Sequence, residues 1–543
     1  MHEEMDRSLS QLKLDVFGPP YFVNYQIRHH DHVEVTASYG SLVKSKTDQN
    51  RKLFVDVRVG DFEFDSSMLG SHAHGIDQFL PLDNDLEGIK RALWYETDLR
   101  YKQAIMNFLK KKGRLISGSD PHPLADFSTG SKPIHEIKPI PEFVVDIDQW
   151  EDMARKISKL FKAAPEIERT QVKINADRII RYYYDSEKNK IRDSVLQYRV
   201  TLEAWTKPDS GGPLYDIETR IFSDLTKFPS EAELTRLANK MIAGINRLKK
   251  APQAEPYVGP AIFSPDATAV LFHEALGHRL EGDRLRTTGD GKTFVKQIGK
   301  QILPKFISVE DNPRLKQFKG KDLAGHYLFD DQGQRSEKVL LVDHGILKTF
   351  LLSRSPVKGF HKTNGHARSD GVRLPMSRMG NFIVRSDEKY SAEELKQKLI
   401  LEVKRQNKPY GLYIRKILSG ETKTQAADVQ VFKGRPLYLY KVYPEDGREE
   451  LVRGVEFVGT PLSMIGKVLA AGNDSTATNG ICGAESGFVP VASIAPSILL
   501  SEVELQITSY QKMRRPILPP PDIPNLQSRA LLNKHSQNNS SRF

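Results

Sequence analysis

One short segment limits most strongly how this chain can fold. Residues 270–283 read VLFHEALGHRLEGD, in which His273 and Glu274 are followed by His278. Imidazole is a common metal ligand, and a carboxylate beside such a ligand can act as general base toward water. On an ideal α-helix, residues five apart point about 140° away from each other. His273 and His278 therefore cannot share one metal ion unless the helix deforms or ends between them.

Gly277 stands where such a break is needed. Glycine weakens a helix and permits either a π-bulge or an early helix end just before His278. The start of the helix is predicted at Ser264 and Pro265, because serine is a favoured N-cap and proline is tolerated in the first helical position. The sequence thus predicts a short apolar helix that stops or bulges between the two histidines.

A third metal ligand must come from elsewhere in the chain, since a catalytic zinc ion generally has three protein ligands. Cys482, the one cysteine in the sequence, is the candidate, and Gly480 and Gly483 beside it would let backbone approach closely. A thiolate with two imidazoles suits Zn²⁺, with Fe²⁺ as a less favoured occupant. The plain alternative is that Cys482 is a small buried hydrophobic residue.

Three further residues are candidates for supporting roles. Glu281 is placed to orient a ligand histidine, and the equally weighted alternative is a surface salt bridge with Arg279 or Arg284. Arg378 and His366 lie in unusual loop segments, where either could stabilise an oxyanion. For these last two, a structural role is the favoured interpretation.

A second histidine-rich segment occurs near the N-terminus. His29, His30 and His32 lie in a predicted strand region together with Asp31 and Glu34. Three close histidines are consistent with a metal site. We interpret them instead as solvated residues of an edge strand.

The order of predicted elements favours an α+β fold with two domains, and 543 residues are too many for one average domain. Residues 1–250 are predicted to form a domain of mixed sheet and helices. Residues 251–263, which are rich in proline and glycine, are the predicted linker. Residues 264–513 are predicted to form a β-rich domain that carries the metal-site helix. Residues 514–543 form a proline-rich tail predicted to be extended or disordered.

Bulk properties narrow the class of protein. The formal net charge is +11, but the basic residues are spread out rather than clustered among aromatic residues, so we do not expect nucleic-acid binding. No run of eighteen apolar residues exists, which predicts no membrane span. The N-terminus lacks an apolar signal-peptide core, which favours a cytoplasmic location. A mature exported form, with its signal already removed, would look the same.

These motifs resemble the TldD/PmbA family of metallopeptidases, once called modulators of DNA gyrase. The resemblance follows the chain in order from about residue 260 to 507. It rests on these segments: residues 273–283, Asp330-Asp331-x-Gly333, residues 364–368, residues 375–379, Gly472-Asn473-Asp474, Cys482-Gly483 and Val489-Pro490-Val491. The resemblance implies zinc held by His273, His278 and Cys482, with Glu274 as catalytic base.

The resemblance also implies a function. One branch of the family, the PmbA-like TldE subunits, lacks the metal motif, whereas this chain retains it and so resembles the active TldD branch. We therefore expect a zinc-dependent peptidase that hydrolyses short or unfolded peptides inside a dimer-enclosed cavity. The dimer would be a homodimer or a heterodimer with a family paralogue. The alternatives are a non-catalytic peptide-binding subunit and a metal-dependent amidase acting on a small molecule.

Overall fold

A computed structural model describes residues 1–14, 16–68, 78–117, 124–208, 211–286, 294–422, 432–457 and 461–508. These residues form helices and extensive sheets, so the predicted α+β class is confirmed. The predicted tail, residues 514–543, lies outside the described residues. None of the described helices is both long enough and apolar enough to cross a membrane.

The first half of the chain is one large sheet with helices packed on it. Its elements are α1 (His2–Gln11), β1 (Phe22–Ser38), β2 (Ser41–Arg58), β3 (Gln78–Phe79), α2 (Leu86–Ile116), β4 (His135–Ile137), α3 (Ile147–Lys159), β5 (Arg169–Asp185), β6 (Lys190–Thr206), β7 (Leu214–Phe222) and α4 (Glu231–Lys250). The strand order is β3-β2-β1-β5-β6-β4, and β7 also pairs with β6. β1 is therefore a central strand.

The two faces of this first sheet differ. Alternate residues of β1, among them Val33 and Val35, are buried in a core that includes Trp150 and Ile157 of α3. Side chains of a strand point to opposite faces in turn, so the even-numbered residues of β1 lie on the face away from these helices. That second face carries polar and charged side chains.

The second half contains two larger sheets and most of the loops. Its elements are β8 (Tyr257–Phe263), α5 (Pro265–Ala275), β9 (Ile307–Asp311), β10 (Gln317–Phe318), β11 (Lys321–Asp322), β12 (Val339–Asp343), β13 (Ile346–Leu347), β14 (Ala367–Arg368), β15 (Met376–Ser377), β16 (Asn381–Ser386), α6 (Ala392–Arg405), β17 (Gly411–Thr422), β18 (Phe432–Val442), β19 (Glu449–Val452), β20 (Val455–Phe457), α7 (Pro461–Ile465), β21 (Val468–Ala471), β22 (Thr476–Ala484), β23 (Gly487–Ala495) and β24 (Ile498–Ile507). One sheet has the order β13-β12-β9-β16-β23-β22 and the other β19-β18-β17-β8-β24-β20.

Helix α5 packs between these two sheets. Its residues Leu271 and Phe272 are fully buried in one core together with Phe263 of β8, Ile414 of β17 and Val491 of β23. A helix covered on more than one side is apolar around most of its surface. This burial explains why the segment before His273 carries so few polar residues, and it fixes the helix rigidly in the core.

The predicted linker is wrong for residues 257–263. These residues form β8, which lies between β17 and β24 in the middle of a sheet. Pro260 suggested a loop because proline cannot donate a ladder hydrogen bond. In the structure the register shifts between Leu500 and Val503 of β24, opposite the position of Pro260, and this irregularity accommodates it. The wider division into two domains stays a prediction.

A polar turn joins the two halves of the chain. Asp331 Oδ1 accepts hydrogen bonds from Arg28 Nη2 at 2.6 Å and Arg181 Nη1 at 2.9 Å, both from the first sheet. Its other oxygen accepts from the backbone N–H of Ser369 at 2.8 Å. Burial alone would raise the pKa of Asp331, but the two guanidinium groups outweigh it and lower the pKa.

Asp331→Ala is expected to destabilise the protein by about 2–3 kcal/mol, because it removes the carboxylate shared by the largely buried Arg28 and Arg181, and only Arg181 keeps a second carboxylate partner, Asp193, among the described residues. The measurement is the urea concentration at the midpoint of unfolding. The control is Asp152→Ala, which removes an exposed partner of Arg155 and is expected to cost no more than about 0.5 kcal/mol. A loss no larger than that of the control would contradict the inference that this turn holds the halves together.

Candidate metal centre

Helix α5 begins and ends at defined residues. Ser264 is the N-cap, with its Oγ accepting from the backbone N–H of Ala267, and Pro265 is the first helical residue, so both predictions are confirmed. The helix ends at Ala275, and a 3-10 turn follows over Gly277–Leu280. The chain thus leaves the α-helix between His273 and His278, as the spacing of the two histidines requires.

Arg279 stabilises this helix end. Its Nη1 donates hydrogen bonds to the backbone oxygens of Glu274 at 3.0 Å and Ala275 at 3.1 Å. A cation on the last carbonyl groups of a helix offsets both their missing partners and the negative end of the helix dipole. Burial is the main cause that lowers the pKa of Arg279 to about 10, and the side chain remains cationic at neutral pH.

Gly277 is needed for space as well as for the break. A Cβ atom at this position would lie 2.1 Å from Sδ of Met379, which is far inside van der Waals contact. Met379 is fully buried, so its side chain has little room to move away. The sequence suggested only a weakened helix at Gly277. The close approach of Met379 is a second constraint that depends on the tertiary structure.

The helix break brings both histidines to one sulfur atom. His273 Nε2 lies 3.2 Å from Cys482 Sγ, and His278 Nε2 lies 3.4 Å from it. The three donor atoms all lie within 4.8 Å of one another. We call these residues the His273–His278–Cys482 cluster. All three side chains are largely buried, with His273 the most accessible at 9% exposure.

The donor set of this cluster fits a zinc ion. With Zn–S near 2.3 Å and Zn–N near 2.0 Å, tetrahedral geometry separates nitrogen from sulfur by about 3.5 Å. The two nitrogen–sulfur distances are 3.2 and 3.4 Å, so the side chains need to move apart by only a few tenths of an ångström. Two imidazoles and one thiolate would leave a fourth position for water or substrate.

The charges in the cluster favour a deprotonated sulfur beside a protonated His278, so a metal ion would take the place of that proton. Burial would raise the pKa of Cys482, but the adjacent His278 and His273 outweigh it and hold the pKa of the thiol well below its usual value. The pKa of His278 is raised: burial would lower it, and Cys482 and Glu281 outweigh that effect. A deprotonated sulfur is the form that binds metal.

Glu281 orients His278 from the side opposite Cys482. Its Oε2 lies 3.1 Å from His278 Nδ1 and accepts a hydrogen bond from Arg284 Nε at 2.8 Å. A proton on Nδ1 directed at this carboxylate would leave Nε2 as the nitrogen that binds a metal ion, once the ion displaces the proton on Nε2. Burial would raise the pKa of Glu281, but the charges of His278 and Arg284 lower it to about 2. The sequence analysis weighed a surface salt bridge as the alternative role of Glu281. The pairing with Arg284 is present, but Glu281 is fully buried, so the prediction of a surface location is wrong.

Arg378 is fully buried and donates a hydrogen bond to the strand that carries Cys482. Its Nη2 donates to the backbone oxygen of Cys482 at 2.7 Å, and its Nη1 donates to Ser486 Oγ and to the backbone oxygen of Gly487, each at 3.0 Å. Its Nε lies 3.4 Å from Glu281 Oε1. These contacts favour a positioning role over contact with a reacting oxyanion.

His366 is also fully buried, with both ring nitrogens close to protein groups. Nδ1 lies 2.9 Å from Asn364 Oδ1, and Nε2 lies 3.2 Å from Asp311 Oδ1. The structure therefore places His366 in a polar network of the loops, and its oxyanion role remains a prediction that the geometry does not favour.

Sequence reasoning missed a reciprocal pair of hydrogen bonds between Asp283 and Ser377. The Asp283 carboxylate accepts from the backbone N–H of Ser377, and Ser377 Oγ accepts from the backbone N–H of Asp283.

Glu274 follows His273 on α5 and is half-buried. Its side chain lies against the backbone of β17, where a Cβ on Gly420 would come within 2.5 Å of Glu274 Cγ. Within the described parts of the chain, its carboxylate has no hydrogen-bond partner, in contrast to that of Glu281. A carboxylate in this state is available to accept a proton.

Relatives share the part of the chain that carries this cluster. The family model described as PmbA/TldA metallopeptidase C-terminal domain matches residues 256–507. A metalloprotease of Archaeoglobus fulgidus is 31% identical over 239 residues, which cover 44% of this chain and 51% of that protein. A zinc metalloprotease TldD homolog of Saccharolobus solfataricus is 26% identical over 273 residues, covering 50% and 56%. The chain spans about half the length of the curated relatives it matches.

The similarity of fold reaches further along the chain. The crystal structure of TldE from Thermococcus kodakarensis matches with a TM-score of 0.59 at 13% identity, over 90% of this chain and 97% of TldE. At this identity the match shows a common fold, and it includes most of the first half. Residues 256–507, which match the family model, contain the His273–His278–Cys482 cluster, so this part of the chain is similar to the C-terminal domain of the PmbA/TldD metallopeptidases.

Proposed function

We propose that this chain is a zinc-dependent peptidase that hydrolyses short or unfolded peptides. The observation that carries the proposal is the convergence of two imidazoles and one thiolate at the end of helix α5, where Glu274 directly follows His273 in sequence. Zinc, when bound, would polarise a carbonyl group and lower the pKa of water. The names of the relatives, metalloprotease and zinc metalloprotease, support the same reaction class.

Different residues of this chain would have different roles in the reaction. His273, His278 and Cys482 would hold the metal, and Glu281 would keep His278 in the correct tautomer. Glu274 would take a proton from the attacking water and return it to the leaving amine. A thiolate would donate more charge to the metal than a third imidazole would. It would therefore lower the Lewis acidity of the metal and make general-base help from Glu274 more necessary.

Strand β22 suggests how a peptide would be held. It lies at the edge of its sheet, pairs with β23 on one side and carries Cys482. An extended peptide can pair with such an edge through its backbone, which makes few demands on its sequence. Ile481 and Phe488 on the same hairpin are 54% and 71% exposed and would contact apolar substrate side chains. A dimer enclosing this region, either a homodimer or one with a paralogue, is part of the proposal.

Glu274→Gln is expected to lower hydrolysis of a peptide library by about 10²–10⁴-fold, because the amide cannot accept the proton from water. Zinc content, measured by mass spectrometry of the purified protein, is expected to stay unchanged. Glu393→Gln, in the first turn of helix α6, is the matched control and is expected to retain full activity. Unchanged hydrolysis in Glu274→Gln would refute the assignment of the base.

The same digest distinguishes the alternatives. If the wild-type chain with bound zinc cleaves no peptide of any length, the peptidase proposal fails. Binding of those peptides without cleavage would then identify a non-catalytic subunit. Turnover of small amides alone would identify an amidase.

Glu281→Gln is expected to weaken zinc binding about 10–100-fold, since it removes the charged partner of His278. Competition with a chelator measures this affinity. At saturating zinc, kcat is expected to remain within a few-fold of the wild-type value, because Glu281 does not face the substrate. A large fall in kcat with unchanged zinc affinity would contradict the positioning role.

A further inference from the structure

A second cluster of metal-ligand side chains lies on the polar face of the first sheet. His30 and His32 are two residues apart on β1, so both point to the same face. Asp177 of β5 is the direct cross-strand partner of His32. Residues opposite each other on antiparallel strands have Cβ atoms about 5 Å apart, which brings the three side chains together. The sequence interpretation of a solvated edge strand is wrong here, because β1 is paired on both sides.

We propose that His30, His32 and Asp177 form a second site for a divalent transition metal ion, with Zn²⁺ the preferred occupant. His30 Nε2 lies 2.8 Å and His32 Nδ1 lies 2.7 Å from the same atom, Asp177 Oδ1. The three donor atoms lie within 4.8 Å of one another. Two imidazoles and a carboxylate are a donor set used by zinc and by Fe²⁺.

The two nitrogen–oxygen distances are close to those around a bound ion, and the two ring nitrogens lie within 4.8 Å of each other. With bonds near 2.1 Å, ligand atoms on one metal are about 3.0–3.4 Å apart, depending on coordination number. The nitrogen–oxygen distances of 2.8 and 2.7 Å therefore need to lengthen by a few tenths of an ångström. The side chains are 22–29% exposed, so an ion can reach them from solvent and retain water in its remaining positions.

A neighbouring carboxylate supports this assignment. Glu34 Oε2 lies 3.5 Å from His32 Nε2, the ring nitrogen that does not face Asp177. Glu34 is itself held by Lys44 Nζ at 3.0 Å and Thr36 Oγ1 at 3.2 Å. A carboxylate on the far nitrogen of a ligand histidine is the usual arrangement around metals, since it fixes the tautomer and the ring orientation.

The charged groups around the cluster leave room for a cation. Within the described residues, the ion pairs of Asp177 are with His30 and His32 alone, whereas Glu34 is paired with Lys44 and Lys173. A divalent ion at Asp177 would therefore not have to displace a lysine or an arginine from this carboxylate. The site is independent of the proposed peptidase function.

Titration of metal-free full-length protein with ZnCl₂, followed by calorimetry, tests this site. We expect the His30→Gln/His32→Gln variant to bind one equivalent fewer than wild type, and Asp177→Asn to bind the second equivalent at least tenfold more weakly. The matched control is His29→Gln, whose Nε2 pairs with Asp31 on the opposite face and which is expected to keep the wild-type stoichiometry. Circular dichroism confirms that each variant is folded.

The difference between wild type and variant is the readout, so failure of the His273–His278–Cys482 cluster to bind zinc would not affect it. In cobalt-substituted protein the second equivalent is expected to add d–d absorption without thiolate charge transfer, because the site lacks sulfur. Equal stoichiometry in wild type and in His30→Gln/His32→Gln would overturn the proposal, and the histidines would then serve only as hydrogen-bond partners of Asp177. Equal losses in His29→Gln would identify adventitious binding and overturn it as well.

Discussion

The end of helix α5 is the feature on which the rest of the candidate centre depends. Had the helix continued beyond Ala275, His278 would point away from His273 and the sulfur of Cys482 would meet only one imidazole. The break is possible because Arg279 donates hydrogen bonds to the last carbonyl groups of the helix and because Gly277 leaves room for Met379. Burial of the helix between two sheets then prevents the broken end from rearranging.

Charged residues around the His273–His278–Cys482 cluster hold this geometry. Glu281 links His278 to Arg284, and Arg378 links Glu281 to the backbone of Cys482. Burying so many charges is costly unless each is paired, and here each side chain contacts at least one oppositely charged group or backbone carbonyl. His273 and His278 lie about two hundred residues before Cys482 in sequence. A continuous set of polar contacts connects them with Cys482 in the structure.

Sequence reasoning predicted the local features and the meeting of Cys482 with both histidines, but it missed the other distant contacts. The cap at Ser264, the break before His278 and the α+β class all follow from residue preferences that act within a few positions. The strand β8 was assigned to a linker because proline and glycine are usually signs of a loop, and the irregular pairing that accommodates Pro260 comes from β24. The roles of Arg378 and His366 depend on contacts with residues up to about a hundred positions away, and their own loop sequences contain no sign of them.

The packing of Gly277 against Met379 has a consequence for how this sequence can vary. The two positions are about a hundred residues apart, yet they share one volume, and any side chain gained at position 277 must be matched by atoms lost at position 379. The glycine in the 270–283 segment and the methionine in the 375–379 loop are thus a coupled pair. We expect them to change together or not at all among chains with this centre.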